Sequence, residues 1–183
     1  MTVLKVLDHL KITSAHFVGM SLGTIIVRNL AEMSTGRVKS MVLGGAVTRL
    51  NTRSQVLVKL GNLCKHIVPY MWLYSLFAYI VMPQRTQKES RHLFIREAKK
   101  LCQKEFKRWF ILTADVNPMM RYFKERELPI PTLYLMGERD YMFIRPVKEM
   151  VAAHQKSTLL EIPDCGHVCN VERPEEFNQH SIA

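Results

Sequence analysis

Hydrophobic and polar positions change period several times along this chain, and each change marks an element. Residues 3, 4, 6, 7 and 10 are apolar with Lys5, Asp8 and His9 between them, which predicts a helix packed on one side over residues 3–10. Ala15 to Val18 reads as a short buried strand, and helix formers run from Leu22 to Glu32. Arg37 to Ser40 then leads into Met41-Val42-Leu43-Gly44-Gly45, an apolar run ending in glycines that predicts a second buried strand. The order strand, helix, strand argues for a parallel sheet with right-handed crossovers, whose ligand sites lie at the carboxyl ends of the strands.

From about Arg49 to Thr113 the texture becomes helical throughout. Residues 67–82 are uncharged and carry Pro69, Tyr70, Trp72, Tyr74, Phe77 and Tyr79. The stretch is too short and too early broken by proline for the roughly 20 residues of a membrane span, so a core helix or a pocket lining is expected. Residues 87–112 place Phe94, Ala98, Leu101, Cys102, Phe106 and Trp109 three or four apart among Arg96, Lys99, Lys100, Lys104, Lys107 and Arg108. This is a basic amphipathic helix, read as a solvated face rather than a membrane-binding one.

Alternation returns after Asn117-Pro118. Residues 131–137 form a third buried strand introduced by Pro129 and Pro131, followed directly by Glu138-Arg139-Asp140. Residues 146–153 make a helix with proline in its first turn, Thr158 to Ile162 a fourth strand, and residues 163–167 the loop after it. A last helix begins at Glu175.

Composition narrows the picture only a little. With 183 residues, 48% of them hydrophobic, the chain can bury one sizeable core, and one domain plus an insertion is the natural count. The formal charge of +10 admits anionic partners without selecting one, and no nucleic-acid module is recognisable. The four cysteines lack a disulfide spacing and no secretory leader is apparent, so a reducing cytoplasm is expected. Cys165, His167 and Cys169 gather three potential metal ligands in five residues, but the spacing fits no zinc pattern and no second ligand pair stands elsewhere, so no metal is expected.

The candidate chemistry sits where the strands end. Gly19-Met20-Ser21-Leu22-Gly23 puts a serine between two glycines on a strand-to-helix turn, the pattern of a nucleophile elbow. Strained backbone there is expected to bring neighbouring main chain so close that side chains at 19 and 23 would collide. A serine at this place could instead cap the helix. Asp140 follows the third strand and His167 the fourth. A serine hydroxyl needs an imidazole to take its proton, and the imidazole needs a carboxylate to hold its tautomer. Asp140 could also be a turn or cap residue, Glu138 is a rival acid, and Asp164 could shape its own turn.

Three segments, Gly19-Met20-Ser21-Leu22-Gly23, Leu135-Met136-Gly137-Glu138-Arg139-Asp140, and Gly166-His167 with Glu172-Arg173-Pro174-Glu175-Glu176-Phe177, together resemble the motifs of α/β-hydrolases, in that family's order Ser, Asp, His. The resemblance implies an α/β fold: the C-terminal half of the family's sheet, about four parallel strands with flanking helices. Residues 1–48 and 114–183 would form the core and residues 49–113 an inserted helical cap. It implies Ser21 as nucleophile, His167 as acid and base, and Asp140 rather than Glu138 as the acid that orients it. The backbone N–H of Leu22 would be one oxyanion donor, and no cofactor is called for. The substrate would be a small ester or similar acyl compound, although acyl transfer or carbon–carbon hydrolysis uses the same residues.

The resemblance also places the family's earlier strands, and a second oxyanion donor, outside these residues, with the last helix clipped. Low or no activity is therefore expected of the isolated chain, since one lost donor lowers turnover by about 100 to 1000-fold. The first strand would present an unpaired edge through which copies could associate. The alternative is a non-catalytic fragment or binding module.

Overall fold

The computed structural model of the chain describes residues 2–49, 56, 63, 68–100 and 126–182. Their elements are α1 (Thr2–His9), β1 (Ala15–Met20), α2 (Leu22–Met33), β2 (Val38–Gly44), α3 (Tyr70–Val81), α4 (Lys88–Ala98), β3 (Thr132–Gly137), α5 (Ile144–Val151), β4 (Ser157–Ile162), α6 (Cys169–Glu172) and α7 (Pro174–Ile182). The strands form one parallel sheet in the order β1-β2-β3-β4.

Alternation along each strand sorts side chains onto two faces. Met41, Leu43, Tyr134 and Met136 face the cluster that contains Leu30 and Ala31 of α2 and Val147 and Met150 of α5. Leu135 and Ile162 face Cys165, Cys169 and Phe177, which belong to α6, α7 and the loop before them. Helices thus cover both faces, the arrangement that parallel strands require. β1 is an outer strand of this sheet, with Val18 on it 55% exposed.

Register brings the strand ends into line. Met20 lies beside Gly44, Gly44 beside Leu135, and Gly137 beside Ile162. The residues that follow each strand therefore meet at one edge.

Three expectations need correction. Of the two roles expected for residues 67–82, a core helix is not what forms: α3 buries Ala78 and Val81 but leaves Trp72 74% exposed, with Leu76, Phe77 and Tyr79 also exposed, while Met71, Trp72, Ser75 and Leu76 line a surface pocket. It packs on α4 along one side, where Tyr74 stacks on Phe94 at 4.6 Å between ring centroids. A segment apolar all round carries no stripe to say which side is covered. A short helix, α6, also follows the loop after β4, where no helix was expected before residue 175. The third concerns Gly23, described below. The C-terminal part of the expected basic helix, from Leu101 to Leu112, lies outside the described residues, as do Cys64 and Cys102. Among the described residues no helix is long and apolar enough to cross a membrane.

Candidate active site

Ser21 occupies the single residue between β1 and α2, at φ 49° and ψ −116°. That left-handed backbone costs a non-glycine residue about 1–3 kcal/mol and persists only where its surroundings over-determine it. Here they do. The Ser21 N–H donates to the Gly44 carbonyl at 2.9 Å, and the Ser21 carbonyl accepts from both the Thr24 N–H at 3.0 Å and the Thr24 hydroxyl at 2.6 Å. The Ser21 hydroxyl makes no helix-capping bond, which removes the capping alternative.

The flanking glycines are not equivalent. A Cβ on Gly19 would stand 2.8 Å from the Gly23 carbonyl oxygen and 3.0 Å from a Val27 methyl, so the close approach expected at the turn is present there. A Cβ on Gly23 would meet nothing within 4 Å, so the expected collision at that position does not occur. The tight contact is Gly19 against the Gly23 main chain, and it forbids a side chain only on the strand side. Gly19→Ala is expected to lower stability by about 1–3 kcal/mol, read as the midpoint of urea unfolding. Gly23→Ala is expected to leave that midpoint unchanged or raised, because alanine is the better helix former.

Asp140 and His167 arrive from the ends of β3 and β4. The exit turn of β3 is tied to the loop after β4: the Glu138 N–H donates to the Ile162 carbonyl at 3.0 Å and the Arg139 N–H to the Cys165 carbonyl at 2.8 Å. A side chain on Gly137 would overlap the Gly166 and Cys165 carbonyls, so glycine is required where the two segments cross. Gly45, at φ 52°, lets the main chain after β2 pass the histidine: a Cβ there would lie 2.5 Å from the His167 carbonyl oxygen and 3.4 Å from its ring.

The three side chains meet. The Ser21 Oγ lies 2.8 Å from His167 Nε2, and His167 Nδ1 lies 2.8 Å from Asp140 Oδ2. His167 is 5% and Asp140 2% exposed, and the Phe143 ring packs on the imidazole at 5.0 Å between centroids. A carboxylate can only accept, so Nδ1 donates to Asp140, and Nε2 keeps the lone pair that can take the Ser21 proton. The backbone N–H of Leu22 is the first of α2 and has no carbonyl one turn back to bond within the helix.

The rival acids are occupied elsewhere. Glu138 Oε2 accepts the Asp164 N–H at 3.2 Å, while Asp164, at φ 52°, pairs with Arg139. The trio of potential metal ligands does not converge. Both ring nitrogens of His167 are engaged, the Cys165 thiol faces the Gly166 carbonyl, and the Cys169 thiol faces the Leu135 carbonyl. Burial raises both thiols, Cys169 to about 12, so neither is a ready thiolate ligand. Among the described residues no group of three or more His, Cys, Asp or Glu is placed to hold a metal ion. Four contributors were not legible beforehand as parts of this site: Thr24, Gly45, Phe143 and Glu172. Only Gly45 and Glu172 carried a signal, as a glycine pair at a strand end and as part of the last motif.

The model of the alpha/beta hydrolase family matches residues 2–180. A 3-oxoadipate enol-lactonase of Acinetobacter baylyi is 25% identical over 187 residues, covering 97% of this chain and 66% of the relative. The chain therefore spans just under two thirds of the length of that curated relative. Among solved structures, a hydrolase from Pseudomonas aeruginosa superposes with a TM-score of 0.80 at 21% identity over 99% of this chain and 68% of its own. Est816, described as an N-acyl homoserine lactone degrading enzyme, superposes with a TM-score of 0.75 at 22% identity, over 97% of this chain and 70% of its own. The four-stranded parallel sheet with its flanking helices and the match over residues 2–180 agree: the chain belongs to the alpha/beta hydrolase family.

Proposed function

We propose that the chain carries the nucleophile, base and acid of a serine hydrolase acting on an ester or related acyl compound. The observation that supports this most is the unbroken pair of 2.8 Å contacts from Ser21 through His167 to Asp140, built on a strained serine that no capping role explains. Similarity to an enol-lactonase and to a lactone-degrading enzyme favours esters closed into a ring.

In this reading Ser21 Oγ attacks the acyl carbonyl carbon while His167 Nε2 takes the hydroxyl proton. Asp140 stabilises the imidazolium so formed, and the Leu22 N–H donates to the oxygen that gains charge. Collapse breaks the bond to the leaving alcohol, which receives the proton from Nε2, and an acyl ester remains on Ser21. Water then gives a proton to His167 Nε2 and adds to the acyl carbon; collapse breaks the bond to Ser21 Oγ, which takes that proton back, and the acid leaves. In a cyclic ester the leaving alcohol stays attached to the acyl group, so a single hydroxy acid is the product.

A fluorophosphonate probe tests this directly. Covalent labelling of the wild-type chain and none of Ser21→Ala is the expected result. Absence of labelling in folded protein even with upstream sequence restored would favour the binding-module reading instead, which the exposure of Val18, Leu22 and Ile26 at the outer strand supports.

A further inference from the structure

The loop that carries His167 is held by a carboxylate that the reaction itself does not use. Glu172 ends α6, five residues after the histidine, and folds back over the loop. Its Oε2 accepts the Gly166 N–H at 2.8 Å and its Oε1 accepts the Val168 N–H at 3.2 Å. These are the N–H groups of the two residues that flank His167, so one carboxylate ties down the backbone on both sides of the residue that carries the imidazole. Its own N–H returns to the Val168 carbonyl at 2.9 Å, which closes the small ring.

The clamp explains why the ring can be so closely confined. Phe143 packs on one side of the imidazole, and a side chain added at Gly45 would come within 3.4 Å of it. Neither neighbour holds the loop by hydrogen bonds, and the ring's own bonds to Ser21 and Asp140 need its Cα in place first. Bonds from N–H groups to an ionised carboxylate are roughly twice as strong as neutral ones. Glutamine has the same shape but offers one acceptor and one NH2 group, so it can satisfy only one of the two donors and faces the other with a donor.

We propose that Glu172 is a positioning residue for the hydrolytic reaction, holding His167 in register with Ser21 and Asp140 through the Gly166 and Val168 amides. The proposal rests on the serine-hydrolase reading above. Misplacing a reacting group by about an ångström costs up to roughly 100-fold in rate, so a partial loosening is expected to cost about tenfold.

The test compares Glu172→Gln, Glu172→Ala and the exposed control Glu175→Gln, each checked for folding by circular dichroism. Two readouts are taken: the maximal rate and half-saturating concentration of fluorophosphonate labelling at Ser21, and the proton resonance of the His167 Nδ1–H in histidine-labelled protein. Glu172→Gln is expected to lower the maximal rate about tenfold at unchanged half-saturating concentration, and to broaden the Nδ1–H resonance. Glu175→Gln is expected to match wild type in both. A wild-type rate and a sharp resonance in Glu172→Gln would overturn the proposal, as would a change confined to the half-saturating concentration. If wild-type protein is not labelled even with upstream sequence restored, the hydrolase reading fails separately. The resonance then decides the clamp alone: broadening in Glu172→Gln supports it and an unchanged line overturns it. Should Glu172→Ala fail to fold, the isosteric glutamine carries the experiment.

Discussion

Asp140→Asn is expected to slow acylation of Ser21 by about 10,000-fold while leaving the fold intact, the loss typical of a triad histidine held in the wrong tautomer. Asparagine has nearly the shape of aspartate, and residue 140 is almost fully buried, so packing barely changes. What changes is the proton. Asp140 Oδ2 accepts from His167 Nδ1 at 2.8 Å, which leaves Nε2 as the acceptor toward Ser21. An asparagine NH2 in that place donates to Nδ1 instead, and the imidazole proton moves to Nε2, where it faces the Ser21 hydroxyl and can no longer receive its proton. Glu138 cannot substitute, because its carboxylate holds the Asp164 N–H on the other side of the turn. The measurement is the rate of fluorophosphonate labelling, with circular dichroism as the control. A loss smaller than about tenfold would remove Asp140 from the role, and Glu138→Gln is expected to stay close to wild type.

Gly137→Ala is expected to be the most damaging single methyl group that can be added to the sheet. Two backbone carbonyls, of Cys165 and Gly166, occupy the space a Cβ would need, and neither can rotate away as a side-chain tip could. The strand cannot yield either, since Gly137 lies beside Ile162 in register and the next two N–H groups bond across to Ile162 and Cys165. Either the end of β3 separates from β4 or the histidine loop moves. Overpacking of this kind costs about 1–3 kcal/mol and more where only main chain can move, against roughly 0.4–1 kcal/mol gained from a stiffer unfolded chain. The clash therefore wins. A fall in the urea midpoint of unfolding, together with loss of Ser21 labelling, is expected. Gly36→Ala is the control: nothing lies within 4 Å of a Cβ there, and the midpoint should hold or rise. An alanine at 137 that preserved both midpoint and labelling would mean that the crossing of β3 with the histidine loop is looser than these contacts require.

The two variants probe different levels of the same site. Asp140→Asn alters a proton at fixed geometry, whereas Gly137→Ala alters geometry at fixed chemistry. Glu172 falls between them, since it leaves Ser21, His167, Asp140 and the sheet untouched and acts on the N–H groups of the residues that flank His167.

How much of this was readable from residue order follows from the range of each interaction. Short apolar runs bounded by glycine and proline mark buried strands by local physics alone, so β1 to β4 stand within a few residues of where the pattern puts them. The elbow around Ser21 was legible for the same reason, because a strained turn writes its glycine next door. That Ser21, Asp140 and His167 follow three strands was also visible. Their meeting was not, for it needs Met20, Gly44, Leu135, Gly137 and Ile162 in lateral register, a set of pairings between residues far apart in the chain. Of Asp140 and Glu138, two residues apart and alike in chemistry, the family motif favoured Asp140, and only the tertiary structure shows the turn after β3 aiming that one at the imidazole and the other at the Asp164 amide. It alone separated Gly19, pressed on main chain, from Gly23, which faces open space. It also showed α3 covered on one side only, where an all-apolar segment names no side. The sequence by itself determined the elements and the kinds of side chain at their ends, because propensity and patterning act within a few residues. Which of those side chains touch, and which peptide groups Glu172 holds, was left to contacts across the sheet.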